Sequence, residues 1–141
     1  MQTAIFQDTV LTALVVDDDL FSQQLLGEML AQDGLFEVHC AIDGQHALRA
    51  LAEMASPPDL LICDVYMPNM DGIEFLRELG RNSYRGDIVL LSGVNEQVLG
   101  AARAIAVANG LRVRGAFTKP LAYAQLLQAI TLEAKPAEPV R

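Results

Sequence analysis

The chain has 141 residues, 52% of them apolar, and a net charge of −8. That length carries one domain with a real core and is too short for two, and the apolar content excludes a disordered chain. The acidity argues against nucleic-acid binding by this segment, because phosphate contacts need a basic face.

Residues 1–11 read as a leader. Its start, Met1-Gln2-Thr3-Ala4-Ile5-Phe6, lacks the basic opening and long apolar core of a signal peptide. The first strand is expected at Ala13–Val16 and runs straight into Asp17-Asp18-Asp19. Leu25, Leu26, Met29 and Leu30 then recur at helical spacing. A second strand, Phe36–Cys40, alternates in polarity, as a strand at a sheet edge does. Ala47, Leu48, Leu51 and Met54 mark a second helix. The third strand, Leu60–Cys63, is wholly apolar and ends at Asp64, as a strand buried on both faces should read. Ile73, Phe75, Leu76 and Leu79 form a third helix after Asp71-Gly72. Ile88–Leu91 is a fourth strand, ending in Ser92-Gly93. Val98, Leu99, Ala102, Ile105 and Ala106 mark a fourth helix that Asn109-Gly110 ends. The fifth strand, Val113–Phe117, leads to Lys119-Pro120, and Tyr123, Leu126, Leu127 and Ile130 mark a fifth helix. Residues 134–141, with two prolines, read as a linker or a cut end.

Five strand–helix units in this length predict an α/β fold with a doubly wound parallel sheet, whose ligands sit at the carboxyl ends of the strands. No stretch approaches 18 consecutive apolar residues, so no membrane span is expected. Cys40 and Cys63 lie in apolar runs without metal-type spacing. They read as small buried hydrophobes in a reducing compartment, which makes the cytoplasm the expected location.

Three acids stand where apolar strands stop: Asp17, Asp18 and Asp64. If the first and third strands are neighbours, these carboxylates converge. Like charges about 4 Å apart repel by roughly 1 kcal/mol in water and about 4 kcal/mol at an effective dielectric of about 20. A fold gathers them only with a compensating cation. The cluster therefore reads as a hard-metal site for Mg²⁺, which Mn²⁺ can replace, and one carboxylate in it can serve as a nucleophile toward phosphorus. A helix cap would explain one Asp, and Asp19 suits that role, but not all three.

The remaining strand ends fit the same chemistry. The loop after Asp64 carries Met67-Pro68, which fixes backbone direction, and Asp71-Gly72, which permits a bend. Such a loop can hold the Tyr66 carbonyl toward the metal. The Ser92 hydroxyl can donate to a phosphoryl oxygen, with Gly93 keeping the approach open. Lys119, held extended by Pro120, supplies a cation for Asp64 and then for the phosphoryl group.

Leu14-Val15-Val16-Asp17-Asp18-Asp19, Asp64 with Met67-Pro68-Asn69-Met70-Asp71-Gly72, Ser92 and Lys119-Pro120 resemble the receiver domain of two-component response regulators, over about residues 12–133. The resemblance implies a flavodoxin-like five-stranded parallel sheet of order 2-1-3-4-5 with five helices. It implies that Asp64 takes a phosphoryl group from a histidine kinase or histidine phosphotransfer protein, and that Asp17, Asp18, Asp64 and the Tyr66 carbonyl hold Mg²⁺. Ser92 and Lys119 then look like the switch hydroxyl and the site lysine. The domain is not expected to be an enzyme beyond slow loss of its own phosphoryl group. Its partner is an output domain or target protein reached through the face of the fourth helix, fifth strand and fifth helix, a face that also suits homodimerisation. One position departs from the pattern. Receivers commonly carry Tyr or Phe three residues before the lysine, and Ala116 stands there; Phe117, by alternation, should face the other side. The segment Gly110–Leu121 looks like receivers fused to EAL-type cyclic-di-GMP phosphodiesterases.

Three rivals are weaker. An Asp-nucleophile phosphohydrolase of the haloacid-dehalogenase pattern needs a second Asp where Tyr66 stands. A flavodoxin-like cofactor module needs a Gly-, Ser- or Thr-rich loop where three acids stand. A degenerate receiver that only binds partners would not need the full set of site residues.

Overall fold

The computed structural model describes residues 10–32, 34–66, 72–93 and 96–134, the last four as backbone only. Five strands, β1 (Leu11–Val16), β2 (Phe36–Ala41), β3 (Leu60–Asp64), β4 (Asp87–Ser92) and β5 (Arg112–Thr118), alternate with five helices. These are α1 (Leu20–Ala31), α2 (Gly44–Glu53), α3 (Gly72–Arg81), α4 (Glu96–Ala108) and α5 (Tyr123–Ala134). All strand pairs are parallel, and the order is β2-β1-β3-β4-β5, as expected. The chain order reverses between β1 and β3, so a crevice opens at the carboxyl ends of those two strands.

The sheet is covered on both faces, which is why its central strands are continuous apolar runs. One face packs Leu14, Val16, Leu61, Cys63, Ile88 and Leu90 against α2, α3 and α4. The other packs Ala13, Val15, Leu60, Ile62, Val89 and Leu91 against Leu26 and Leu30 of α1 and Leu126 and Ala129 of α5. Each strand extends a residue or two beyond its apolar run. Thr12, Asp87 and Ser92 continue the ladder because backbone pairing does not require an apolar side chain.

Local chemistry fixes the ends of the helices. Asp19 caps α1 by accepting from the Phe21 amide, and Asp43 caps α2 by accepting from the His46 amide. α4 stops at Gly110, whose φ of +82° lets the Gly110 and Leu111 amides turn back to the Val107 and Ala106 carbonyls. The Lys119–Pro120 peptide is cis.

Two expectations are corrected. Leu25 is exposed rather than part of the α1 core stripe, together with Leu20 and Phe21, so that helix is apolar beyond its buried face. Cys40 is exposed while Cys63 is buried, because β2 is the edge strand and the carboxyl end of an edge strand is open on one flank. Burial pushes the Cys63 thiol far above its ordinary range, and the Asp64 and Asp17 charges add to this. Met67, Pro68, Asn69, Met70 and Asp71 lie outside the described residues.

Among the described residues no helix is long and apolar enough to cross a membrane.

Candidate functional site

β1 and β3 are adjacent, with Val16 opposite Cys63, so the residues that follow each strand meet at one end of the sheet. Asp17 is fully buried and Asp64 nearly so, while Asp18 is exposed. One carboxylate oxygen from each of the three lies within 4.8 Å of the others. The convergence expected from sequence is therefore present.

Lys119 supplies the opposing charge. It follows β5, two strands away from β3, yet its Nζ is 2.8 Å from Asp17 Oδ2 and 3.1 Å from Asp64 Oδ2. The expected Asp64 pairing is joined by one to Asp17 that the sequence did not reveal. The Lys119 amide donates to the Ser92 carbonyl at 2.9 Å, which ties the start of the chain after β5 to the end of β4. Ser92 is fully buried at that strand end. Gly93 is exposed beside it, and a β-carbon there would only make ordinary contact with the Lys119 stem. Gly93 thus leaves the approach open without being sterically required.

The electrostatics follow from burial and pairing. Burial pushes the Asp64 carboxyl above its ordinary value, and the Asp17 charge adds to that. The Tyr66 amide, 3.0 Å from Asp64 Oδ1, and Lys119 pull it back. Burial alone would lower the Lys119 ammonium, but its two carboxylate partners outweigh this and hold it above its ordinary value. Asp17 Oδ1 accepts from the Asp19 amide at 2.9 Å. Its other oxygen, Oδ2, is buried and, among the described residues, has no partner beyond the ion pair to Lys119. A buried oxygen with unfilled lone pairs, facing two more carboxylates, fits a small hard cation.

Two helix residues complete the pocket, and neither was evident in the sequence. Gln23 in the first turn of α1 donates from its amide nitrogen to the Asp17 carbonyl at 2.7 Å and the Ala41 carbonyl at 3.1 Å. It pins the ends of β1 and β2 together. Ser22 Oγ lies 3.1 Å from Asp19 Oδ2 and 3.5 Å from Lys119 Nζ. Both read as ordinary exposed polar positions of a helix, and only the docking of α1 aims them at strand ends.

Gly72 has a stronger reason than a bend. A β-carbon there would fall 2.3 Å from the Val65 Cα and 2.7 Å from its carbonyl carbon and oxygen. The Gly72 amide also donates to the Val65 carbonyl at 3.2 Å. The start of α3 therefore packs directly on the backbone that follows Asp64. Tyr66 is exposed, with its amide engaged by Asp64.

Ala116 and Phe117 face opposite sides of β5, as alternation predicts: Ala116 packs toward the α2–α4 core and Phe117 toward the α1–α5 core. A shift in register between Ile88 and Val89 places Val113 and Ala116 on one face. Where an aromatic ring could stand, the surface between α4 and α5 holds a recess of about 230 Å³ lined by Arg103, Arg114, Ala116 and Gln125.

The response regulator receiver domain model matches residues 13–131. Among curated proteins, chemotaxis protein CheY of Treponema pallidum is 29% identical over 117 residues, covering 83% of this chain and 78% of that protein. A protein-glutamate methylesterase/protein-glutamine glutaminase of Treponema denticola is 38% identical over 85 residues, covering 60% of this chain and 22% of that protein. The match thus spans about a fifth of that longer relative's length. Among solved structures, CheY4 of Vibrio cholerae superposes with a TM-score of 0.72 at 27% identity, covering 88% of this chain and 98% of that one. The CheX-CheY-BeF3-Mg²⁺ complex of Borrelia burgdorferi gives 0.74 at 25%, covering 89% and 90%. With its sheet order, its three converging carboxylates and its strand-end lysine, this chain belongs to the response regulator receiver domain family of two-component systems.

Proposed function

We propose that this receiver domain takes a phosphoryl group on Asp64 from a histidine kinase or histidine phosphotransfer protein. The observation that carries the reading is the position of Lys119 Nζ, in contact with both Asp17 and Asp64 while a third carboxylate, Asp18, closes the cluster. Asp17, Asp18, Asp64 and the Tyr66 carbonyl are the groups that would hold Mg²⁺. Bound there, the ion supplies charge neutralisation for the phosphoryl oxygens in the transition state.

The chain's own residues do the rest. An Asp64 carboxylate oxygen attacks phosphorus in line, forming a P–O bond as the P–N bond to the donor imidazole breaks, and the electron pair leaves with that nitrogen. Lys119 is already beside Asp64 and carries its charge to the transferred group. The Ser92 hydroxyl holds another phosphoryl oxygen. The product adds roughly −1.5 to −2 charge if it ionises like other phosphorylated side chains. Lys119 and Ser92 are joined through the backbone at the ends of β4 and β5, so a rearrangement of either reaches the α4–β5–α5 face. That face is the one assigned here to an output domain, an EAL-type phosphodiesterase among the candidates, or to a second copy. Moving a two-state face from 1:99 to 99:1 takes about 5.5 kcal/mol, which several charge-assisted hydrogen bonds can supply.

Incubation with a small phosphodonor and Mg²⁺ should label the wild-type chain, and Asp64→Asn should abolish the label. Undiminished labelling of the variant refutes the assignment. Beryllofluoride with Mg²⁺ should shift the Ser92 and Lys119 resonances of the wild type.

A further inference from the structure

Asp18 is the odd member of the carboxylate cluster. The Asp17 side chain is held by Lys119 and the Asp19 amide, and that of Asp64 by Lys119 and the Tyr66 amide. Asp18 is exposed, and among the described residues its side chain makes no hydrogen bond or ion pair. Nothing beyond its own rotamer preference directs that carboxylate. Its place within 4.8 Å of the other two is therefore set by the backbone that carries it.

One residue holds that backbone. Gln23 Nε2 lies 2.7 Å from the Asp17 carbonyl oxygen, which belongs to the peptide joining Asp17 to Asp18. The same nitrogen lies 3.1 Å from the Ala41 carbonyl, which also accepts from the Asp17 amide at 3.0 Å. The main-chain amide of Gln23 donates to the Asp19 carbonyl at 3.0 Å. Gln23 thus grips the chain on both sides of Asp18 and ties it to the end of β2. Both side-chain partners are carbonyl oxygens, which only accept, so the amide must turn its nitrogen toward them, and its two hydrogens serve both. The next residue makes the contrast. Gln24 is exposed and reaches only Glu28, one turn along the helix, whereas Gln23 is half-buried against the strand ends. A lysine or arginine would donate as well, but would set a positive charge beside a cation site; the neutral amide fixes the turn without that repulsion.

We propose, resting on the reading of the three carboxylates as a Mg²⁺ site, that Gln23 is a positioning residue for it. By holding the Asp17–Asp18 peptide, Gln23 keeps the Asp18 carboxylate turned toward Asp17 and Asp64. Without that grip the peptide is free to rotate, and the exposed carboxylate drifts into water.

The test is a titration of the full chain with Mn²⁺ alone, the free ion being read by electron paramagnetic resonance. Gln23→Met keeps the length of the side chain and removes the donor. It should weaken Mn²⁺ binding about tenfold, within the range typical for a group that orients a metal ligand. In an Asp18→Asn background no carboxylate is left to aim, and the same substitution should change the affinity by less than about twofold. Equal losses in the two backgrounds make Gln23 a general brace and overturn the proposal. Undiminished binding by Gln23→Met also overturns it, while leaving the cation site standing. A wild-type chain without saturable Mn²⁺ binding removes the cation site itself, and the role of Gln23 with it. Urea unfolding without metal checks that the variant is folded. Should Gln23→Met not fold, Gln23→Asn takes its place with the same expectations, since its amide stops one methylene short of the two carbonyls.

Discussion

The two ends of one sheet solve opposite problems. At the carboxyl ends, Asp17, Asp64 and Ser92 are buried polar groups, and a single lysine answers two carboxylates. At the amino ends the polar groups have settled partners: Tyr84 donates to the Pro58 carbonyl at 2.9 Å, and Asp87 is held between two arginines. The same strands feed both ends, so the difference is not one of scaffold. One end is left electrostatically incomplete; at the other, Tyr84 and Asp87 are already paired beside an apolar groove. Buried charge with partial compensation is costly, and a fold retains it where the missing partner is a ligand.

Three substitutions would break or sharpen that contrast. The largest effect is expected from Gly72→Ala. Its β-carbon would meet the Val65 backbone, which has no rotamer by which to yield. A loss of about 3 kcal/mol should appear as a lower urea midpoint, since forced overpacking costs about 1–3 kcal/mol even where side chains can adjust. Next is Lys119→Met, which leaves Asp17 and Asp64 facing each other. Removing one partner of a buried pair costs about 3–5 kcal/mol, and the partial exposure of this lysine brings the expectation to about 2 kcal/mol. Millimolar Mg²⁺ should recover part of that loss in unfolding experiments. No recovery would count against the carboxylates as a cation site.

The smallest effect belongs to the amino end. Tyr84→Phe should cost about 1 kcal/mol at neutral pH, the usual worth of one hydrogen bond, and Mg²⁺ should not alter it. That difference should shrink as pH rises. Burial raises the Tyr84 phenol above its ordinary value of 10.0, with the Asp87 and Asp59 charges adding to this. The unfolded chain therefore gives up that proton first, and the stability tied to the neutral phenol is lost as pH rises past about 10. Above that pH the Phe variant should lose less stability than the wild type, as denaturant titrations at pH 7 and pH 10.5 would show.

Much of this was legible in the sequence because the apolar runs stop where the acids begin. Leu60–Cys63 can only be a strand covered on both sides, and its end places Asp64 in space. The alternation of Phe36-Glu37-Val38-His39 marked the edge. What the residues did not disclose are relations set by docking. Gln23 and Ser22 act on strand ends only because α1 lies across β1 and β2. The exposure of Cys40 and Leu25 depends on where the covering layer stops, which local periodicity does not encode. The close approach at Gly72 is a contact between two backbones, and a turn signal alone does not reveal it. An apolar groove at the amino ends of the strands drew no notice either, because its walls come from eight separate elements.

The register shift between β4 and β5 has a consequence for how the chain can vary. It places one uncounted residue between Val113 and Gly115, and from there onward parity decides which side chain looks at which layer. Deleting Arg114 would leave a regular ladder, with Gly115 still opposite Val89, Ala116 opposite Leu90 and Phe117 opposite Leu91, so this one position can absorb a change of count. From Gly115 to Thr118 each residue has a set partner on β4, so there the count is fixed while identity can change, as Ala116 illustrates.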